Sequence, residues 1–349
     1  MIGLINGQQV VGLDIAKSVF QLHSVDMGTG EIVNMQLKRA KVLEYFANHQ
    51  PCLIGIEACG GAHHWARELQ ALGHSVRLIH AKAVRPFVSG NKTDATDARA
   101  IWLAVQQPGT KFVGIKSEEQ QATLVLHRQR ELLMKMRVMQ TNALRGLLYE
   151  FGATFGRGKN ALFSEIEAAL ETLLAKNSLP QYVADSLREQ VGRIKALDQD
   201  IKSIEQRLQE RLKSNAQMKR IAHIPGVGLL TATAAIATMG EASAFKSGRE
   251  FCAWLGLVPR QSGTGGKVKL LGISKRGDTY LRTLLIHGAR SVLSHSKEPV
   301  PWLEQLQQRR PTNVVIVAQA AKMARTIWAV TAKEQNYQRG YQSTRPQTA

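Results

Sequence analysis

Two aspartates, Asp94 and Asp97, stand three residues apart in Asn91-Lys92-Thr93-Asp94-Ala95-Thr96-Asp97-Ala98-Arg99. The Ala- and Leu-rich stretch that follows reads as a helix, and a spacing of three sets both carboxylates on one helix face. Like charges held that close call for a positive partner. Lys92 and Arg99 are near in sequence, and a divalent cation is the other candidate. Taken alone, the pair also reads as an ordinary helix start, with Thr93 or Asp94 as N-cap and Asp97 in the acid-favouring first turn. Two more acids lie upstream. Asp14 interrupts the apolar run Val10-Val11-Gly12-Leu13-Asp14-Ile15-Ala16, and Glu57 closes Leu53-Ile54-Gly55-Ile56-Glu57. Both runs read as buried strands. A buried carboxylate is costly unless paired or bound to metal. Two strands and a helix delivering four acids make a hard oxygen-ligand set, suited to Mg²⁺ or Mn²⁺ rather than zinc. His63 and His64 follow Glu57 and could add ligands, but the first turn of a helix fits packing or backbone contacts better.

The elements that must position these acids alternate over residues 10–80. Val10 to Val25 reads as one strand, Asp26 to Glu31 as a turn, and Ile32 to Leu37 as its hairpin partner. Lys41 to His49 reads as a short helix, Leu53 to Ile56 as a central strand, His63 to Leu72 as a helix stopped by Gly73, and Val76 to Ile79 as a strand. Hairpin, helix, strand, helix, strand and an acid-bearing helix is the ribonuclease-H-like order. It sets Asp14 and Glu57 facing Asp94 and Asp97.

Ser117-Glu118-Glu119-Gln120 has the form of a capping box and opens a long helix towards Tyr149. Its Arg128, Arg130, Lys135, Arg137 and Arg145 read as a solvated or a phosphate-facing surface. Phe151 to Lys159, rich in glycine, reads as a hinge or linker. From Ala161 to Ser214 the pattern is helical, split at Pro180. There Leu187, Val191, Ile194, Leu197, Ile201, Ile204, Leu208 and Leu212 recur at steps of three and four, a coiled-coil seam that points to self-association. Ile224-Pro225-Gly226-Val227-Gly228 before a small-residue helix is similar to a helix-hairpin-helix motif. Gly226 and Gly228 would let backbone N–H groups approach a phosphate, or simply make a tight turn. Between Lys246 and Arg290 nine bases face two acids, Lys267, Lys269, Lys275, Arg276 and Arg282 among the bases. Within this segment Ser262 and Ser274 sit in glycine-bounded stretches where a phosphate could be held. No His-Asp pattern surrounds Ser262, which argues against a protease-type triad. An apolar helix, Val314 to Val330, and a flexible polar tail from Lys333 complete the chain.

The 349 residues carry 46 Lys and Arg against 27 acids, a formal charge of +19. A chain this basic meets nucleic acid more often than anionic membrane. No apolar stretch reads as long enough to span a membrane without a charge or turn, and the start lacks the pattern of a signal peptide. Three cysteines without CxxC spacing read as small apolar residues in a reducing cytoplasm, with neither disulfides nor structural zinc.

Taken together these motifs carry a family resemblance. Gly12-Leu13-Asp14-Ile15-Ala16-Lys17, Ile56-Glu57, Lys92 to Arg99, Ile224 to Gly228, Phe251 to Pro259, Gln261-Ser262-Gly263, Gly265-Gly266-Lys267 and Ile273 to Gly277 with Leu281-Arg282 come in one order. The chain resembles the DEDD transposases of insertion-sequence family 110, in the 1111 branch. These are related to the Piv DNA invertases and include bridge-RNA-guided recombinases. The resemblance implies an α/β RuvC-like catalytic domain over 1–155, a helical coiled-coil segment over 156–218, a mainly α transposase domain over 219–332 and a tail over 333–349. It implies Asp14, Glu57, Asp94 and Asp97 as Mg²⁺ or Mn²⁺ ligands and Ser262 as nucleophile, with Ser274 close by. Lys92, Arg99, Gly226, Gly228, Lys267, Lys269, Lys275, Arg276 and Arg282 are the expected nucleic-acid contacts. Partners are donor and target DNA, a noncoding guide RNA and further copies of the chain as a dimer or tetramer. The rivals are a RuvC-type junction nuclease using metal-activated water, a sugar-kinase-like ATPase, and a non-catalytic nucleic-acid scaffold. The ATPase is disfavoured because Ile15-Ala16-Lys17 replaces a glycine-rich phosphate turn.

Overall fold

The apolar run from Val10 to Val25 folds as two strands rather than one. In this computed structural model, which describes residues 4–5, 8–26, 28–91, 93–296 and 300–341, strand β1 (Leu4–Ile5) leads to β2 (Gln8–Asp14), which turns back into β3 (Val19–Val25). The two pair antiparallel with Asp14 opposite Gln21. Lys17 and Ser18 occupy an exposed turn that apolar periodicity alone does not reveal. The break puts Asp14 at the end of its strand instead of in its middle.

The rest of the first compact unit, Met1–Ser117, follows the expected order. It runs β4 (Ile32–Lys38), α1 (Val42–Ala47), β5 (Leu53–Glu57), α2 (Ala62–Ala71), β6 (Ser75–Ile79), α3 (Ala81–Val84), α4 (Asp94–Val105) and β7 (Phe112–Val113). The mixed sheet has the order β4-β3-β2-β5-β6-β7, with β1 on β2. Strands β2, β5 and β6 are parallel, whereas β3, β4 and β7 join antiparallel. This is a ribonuclease-H-like sheet with helices on both faces. Strand alternation sends Val11, Leu13, Phe20, Leu22, Ile54 and Ile56 to one face, packed with Trp65 and Leu69 of α2. Val10 and Leu53 go to the other, packed with Ile101, Trp102 and Val105 of α4.

Gly12 is what lets α4 lie flat on β2. A Cβ built there would stand 2.2 Å from the Ala98 carbonyl oxygen and 2.6 Å from the Trp102 nitrogen. Both are helix backbone and cannot swing aside. Gly12→Ala is therefore expected to destabilise this unit by about 3 kcal/mol. Gly114→Ala, where a Cβ would meet nothing within 4 Å, serves as control. Equal urea midpoints for the two variants would show that α4 does not depend on this close approach.

The second unit, Glu118–Ala349, is mostly helical. Its helices are α5 (Glu118–Glu150), α6 (Lys159–Ala175), α7 (Gln181–Ser214), α8 (Ala216–Ala222), α9 (Leu229–Met239), α10 (Gly248–Trp254), α11 (Thr279–His295), α12 (Pro301–Arg309) and α13 (Thr312–Ala332). Among the described residues a single hairpin, β8 (Pro259–Thr264) and β9 (Lys267–Ile273), interrupts them. The contacts divide the chain at residue 117, because α5 packs with α7 and α9.

Helices α5 and α7 run antiparallel. Arg130 pairs with Glu205 at 2.7 Å and Arg137 with Asp198 at 2.7 Å, while Arg211 pairs with Glu119. The α7 seam read from the sequence is thus taken up inside its own chain: Leu187, Ile194, Ile201, Ile204 and Leu208 are buried. Several α5 bases expected to face phosphate are engaged as well. Lys135 pairs with Glu131, and Arg145 donates to the carbonyls of Phe155, Gly156 and Gly158. The last set pins the glycine-rich connection to α5, so it is an anchored corner rather than a hinge.

A buried polar junction ties α5 to α9 and α11. His127 lies 2.9 Å from the Tyr280 hydroxyl through Nδ1 and 2.9 Å from Thr233 Oγ1 through Nε2. Burial, with Arg130 nearby, pushes its pKa down to about 4. Helix α13 is long and apolar enough to cross a membrane by length and composition, although Lys322 and Arg325 interrupt its apolar run. Val315, Ile316, Ala320, Met323, Ala324 and Ile327 are nevertheless buried within the second unit. Tyr337, in the stretch expected to be a flexible tail, packs against the core of that unit.

Candidate active site

The first unit brings the acids to one side of its sheet. Asp14 ends β2 and Glu57 ends β5. Register pairs Gly12 with Gly55, so alternation carries Asp14 and Glu57 to the face that α4 covers. Both side chains are half-buried. The Cys59 thiol senses the two together. Burial raises its pKa first, and the charges of Glu57 and then Asp14 raise it further.

Helix α4 begins at this face. Thr93 caps it, accepting the Thr96 N–H, and Thr96 Oγ1 accepts the Thr93 N–H in return. The threonines do the capping, so Asp94 and Asp97 are not used as caps. Both lie in the first turn, where the helix dipole favours carboxylates. Arg99 is exposed, near Ser89. Lys92 lies outside the described residues, as do Met27, most of residues 1–7 and the chain beyond 341.

An all-carboxylate donor set suits a hard divalent cation such as Mg²⁺ or Mn²⁺. Among the described residues, however, no three acids, histidines or cysteines close into a group that could hold a metal ion. The residues fit the ion in chemistry and in placement on one face, without converging on a point. His63 is not available as a ligand through Nδ1, which accepts the Lys116 N–H. His64 lies 3.7 Å from Glu68.

In the second unit, Ser262 is not in a loop. It sits on β8 opposite Lys269. Gly265 and Gly266 form the tip with φ of +56° and +78°, the left-handed pair that a tight hairpin turn demands. Alternation makes the hairpin two-faced. Ser262, Thr264, Lys267 and Lys269 share one side, and Gln261, Gly263, Val268 and Leu270 the other. All eight are exposed. Ser274 differs: it is half-buried, with its N–H held by the Val258 carbonyl.

The hairpin's foot is clamped. A Cβ on Gly256 would stand 2.2 Å from the Arg276 carbonyl oxygen, and one on Gly277 would stand 1.9 Å from that of Trp254. Arg282, expected to contact nucleic acid, is buried here instead. It donates to the carbonyls of Leu255 at 2.9 Å and Arg276 at 3.1 Å and to Thr279 Oγ1 at 3.0 Å. Its charge holds the foot of the hairpin to α10 and α11.

The helix-hairpin-helix reading divides likewise. Gly226 is needed for packing, since a Cβ there would meet the Gly288 carbonyl oxygen of α11 at 2.7 Å and its φ is +84°. Gly228 faces open space at the start of α9.

Lys267, Lys269, Lys275 and Arg276 of the hairpin and its foot are exposed. Neutralising Lys267, Lys269, Lys275 and Arg276 together is expected to weaken nucleic-acid binding. The slope of log K against log salt should flatten by roughly 0.7–0.9 for each phosphate that the variant no longer neutralises. Titrations at several salt concentrations measure this, and an unchanged slope would make the four a merely solvated surface.

Comparison with known proteins places this architecture. Residues 11–152 match a family model described as a transposase, of the DEDD type, and residues 218–302 match the transposase IS116/IS110/IS902 family. A probable family 20 transposase of Pseudomonas aeruginosa is 46% identical over 335 residues, covering 95% of this chain and 98% of the relative. The chain belongs to the IS110 family of transposases. The transposase for insertion sequence element IS1111A of Coxiella burnetii is 38% identical over 338 residues, covering 95% and 92% of the two chains. That for IS1328 of Yersinia enterocolitica is 36% identical over 328 residues, covering 93% and 97%. As an IS110-family transposase the chain is an enzyme of DNA strand transfer, and the DEDD domain implies a divalent metal.

Proposed function

We propose that this transposase cuts and rejoins DNA with Ser262 as nucleophile and with Asp14, Glu57, Asp94 and Asp97 holding Mg²⁺ or Mn²⁺. The observation that carries the reading is the gathering of Asp14, Glu57 and the first turn of α4 on one side of the sheet. The ion, when bound, supplies positive charge to a developing phosphorane and lowers the pKa of an oxygen beside it. The chain's own residues do the rest. Ser262 gives up its hydroxyl proton to solvent, and its oxygen bonds to phosphorus as the bond to the leaving DNA oxygen breaks and that oxygen takes up a proton from solvent. DNA is then held as a phosphoserine ester until a second strand's hydroxyl displaces the serine. Lys267 and Lys269, on the same face as Ser262, neutralise the phosphate. Ser262 is preferred to Ser274 because its hydroxyl is exposed on the basic face, whereas Ser274 is half-buried.

The enzyme acts in the cytoplasm as a homo-oligomer of two or four copies. A noncoding RNA pairs with donor and target DNA and supplies most of the sequence choice. The charge of +19 supports a nucleic-acid partner. Purifying the chain from cells that carry its whole element and sequencing the bound nucleic acid tests this point: one defined noncoding RNA is expected, and random RNA overturns it. A metal-dependent junction nuclease is the second reading. It is favoured by one fact, that the acids and Ser262 belong to different compact units.

A further inference from the structure

Helix α5 has two apolar faces, and the chain covers only one. His127, Leu144 and Leu148 mark the buried side, toward α7 and α9. On the side turned away from α9, Val125, Leu132, Met136, Met139 and Leu147 are 46%, 53%, 38%, 64% and 50% exposed, with Leu132 at the rim of a cleft that α5 shares with Ser203 and Ile204 of α7. At 100° per residue these five fall within about 40° of one line along the helix. Gln129 and Ala143 fill the intervening positions, so the line carries no charge between residues 125 and 147. The usual seam step of three and four runs through it.

We propose that a second copy of this chain docks on this face, α5 against α5 and antiparallel, about a two-fold axis near Met136. The stripe is nearly its own mirror about that residue. Val125 and Leu147 stand eleven positions to either side, Gln129 and Ala143 seven, and Leu132 and Met139 four and three. An isologous contact requires this self-complementarity, and a different partner would have no reason to match it. The absence of charge in the stripe speaks against a phosphate backbone as its occupant. From residue 125 to residue 147 the stripe is about 33 Å long. Two such stripes would cover on the order of 1,000 Å², the lower edge of what a specific interface needs. The helix is braced for the task, since Arg130–Glu205 and Arg137–Asp198 tie its other side to α7. The inference rests on the proposed homo-oligomer and names the face that forms it.

Light scattering on the purified full chain tests it, with Leu132→Glu/Met139→Glu as the disrupting variant. Val138→Glu, on another side of α5 but 48% exposed, is the control. Wild type and control are expected to share one oligomeric mass, and the double variant to fall to half of it with its circular dichroism and melting temperature intact. Leu132→Ser/Met139→Ser gives the same reading if the glutamates impair folding. In a Cys59→Ser background, oxidised Met136→Cys should form an intermolecular disulfide and Val138→Cys should not. A wild-type monomer would overturn both the oligomer and this face. An oligomer whose mass survives the double variant would overturn the face alone, as would an equal fall in mass in the control. Weaker nucleic-acid binding at unchanged mass would assign the stripe to nucleic acid and overturn the proposal.

Discussion

Asp14→Asn, Glu57→Gln, Asp94→Asn and Asp97→Asn, made singly, are each expected to lower metal-dependent strand exchange by at least about 100-fold. Residues that merely support a metal ligand typically cost 10–100-fold when changed, so a ligand should cost no less. The amides keep each side chain's size, so folding should survive. Asp14 and Glu57 both hold the Cys59 thiol above the ordinary range, after burial itself. Removing either charge should lower that pKa and make Cys59 alkylate faster at a fixed pH. That readout reports on the placement of the acids independently of catalysis. The measurement is recombination with added Mg²⁺ or Mn²⁺, beside alkylation and melting of the same variants. Near-normal product from two of the four would end the assignment of the metal site. Abolished product with unchanged Cys59 reactivity in Asp14→Asn and Glu57→Gln would show that those two acids do not share the face described.

The legible part of this site is the part written in periodicity. An acid at the end of an apolar strand run, as at Glu57, can be seen because the run before it is continuously apolar and ends at the charge. The Asp94/Asp97 spacing and the Thr93 cap are equally local, and α4 begins where they place it. What is not legible depends on partners distant in sequence. The turn at Lys17 and Ser18 is hidden because apolar residues continue on both sides of it. The α7 seam is legible as a seam, but amphipathic spacing does not say which surface covers it, and α5 of the same chain does. Arg130 and Arg137 look like phosphate ligands in the sequence because their acids, Glu205 and Asp198, lie more than sixty positions away. Arg282 looks the same, and only the fold reveals the carbonyls of Leu255 and Arg276 at which it is aimed. Charge in a sequence is a count. Whether it faces solvent or neutralises a neighbour is settled by packing.

Ser262→Ala is expected to bind nucleic acid as wild type does, yet to form no covalent protein–DNA adduct and at most roughly 0.1% of the recombinant product, in line with the loss of an activated nucleophile. The hydroxyl is small and exposed, and its strand is held by backbone pairing to β9, so the substitution should leave the hairpin intact. The bases proposed to neutralise phosphate, Lys267, Lys269 and their neighbours, are untouched. No histidine or carboxylate lies between Arg260 and Gly277 to serve as a local base. The proposed reading therefore assigns activation of the serine to the metal ion held by the acids. Because the acids and the serine belong to different units, the two could be contributed by different copies of the chain. Mixing Ser262→Ala with Asp94→Asn then regenerates one complete site in each mixed assembly, and part of the activity should return. A denaturing gel of labelled DNA with wild type, each variant and the mixture reads all of this at once. An adduct that persists in Ser262→Ala and vanishes in Ser274→Ala would move the nucleophile to Ser274. Normal cleavage with no adduct from any form would mean that water, not the hairpin serine, attacks the phosphate. Failure of the mixture alone, with the adduct behaving as expected, would leave the serine in place and require both parts of the site to come from a single copy.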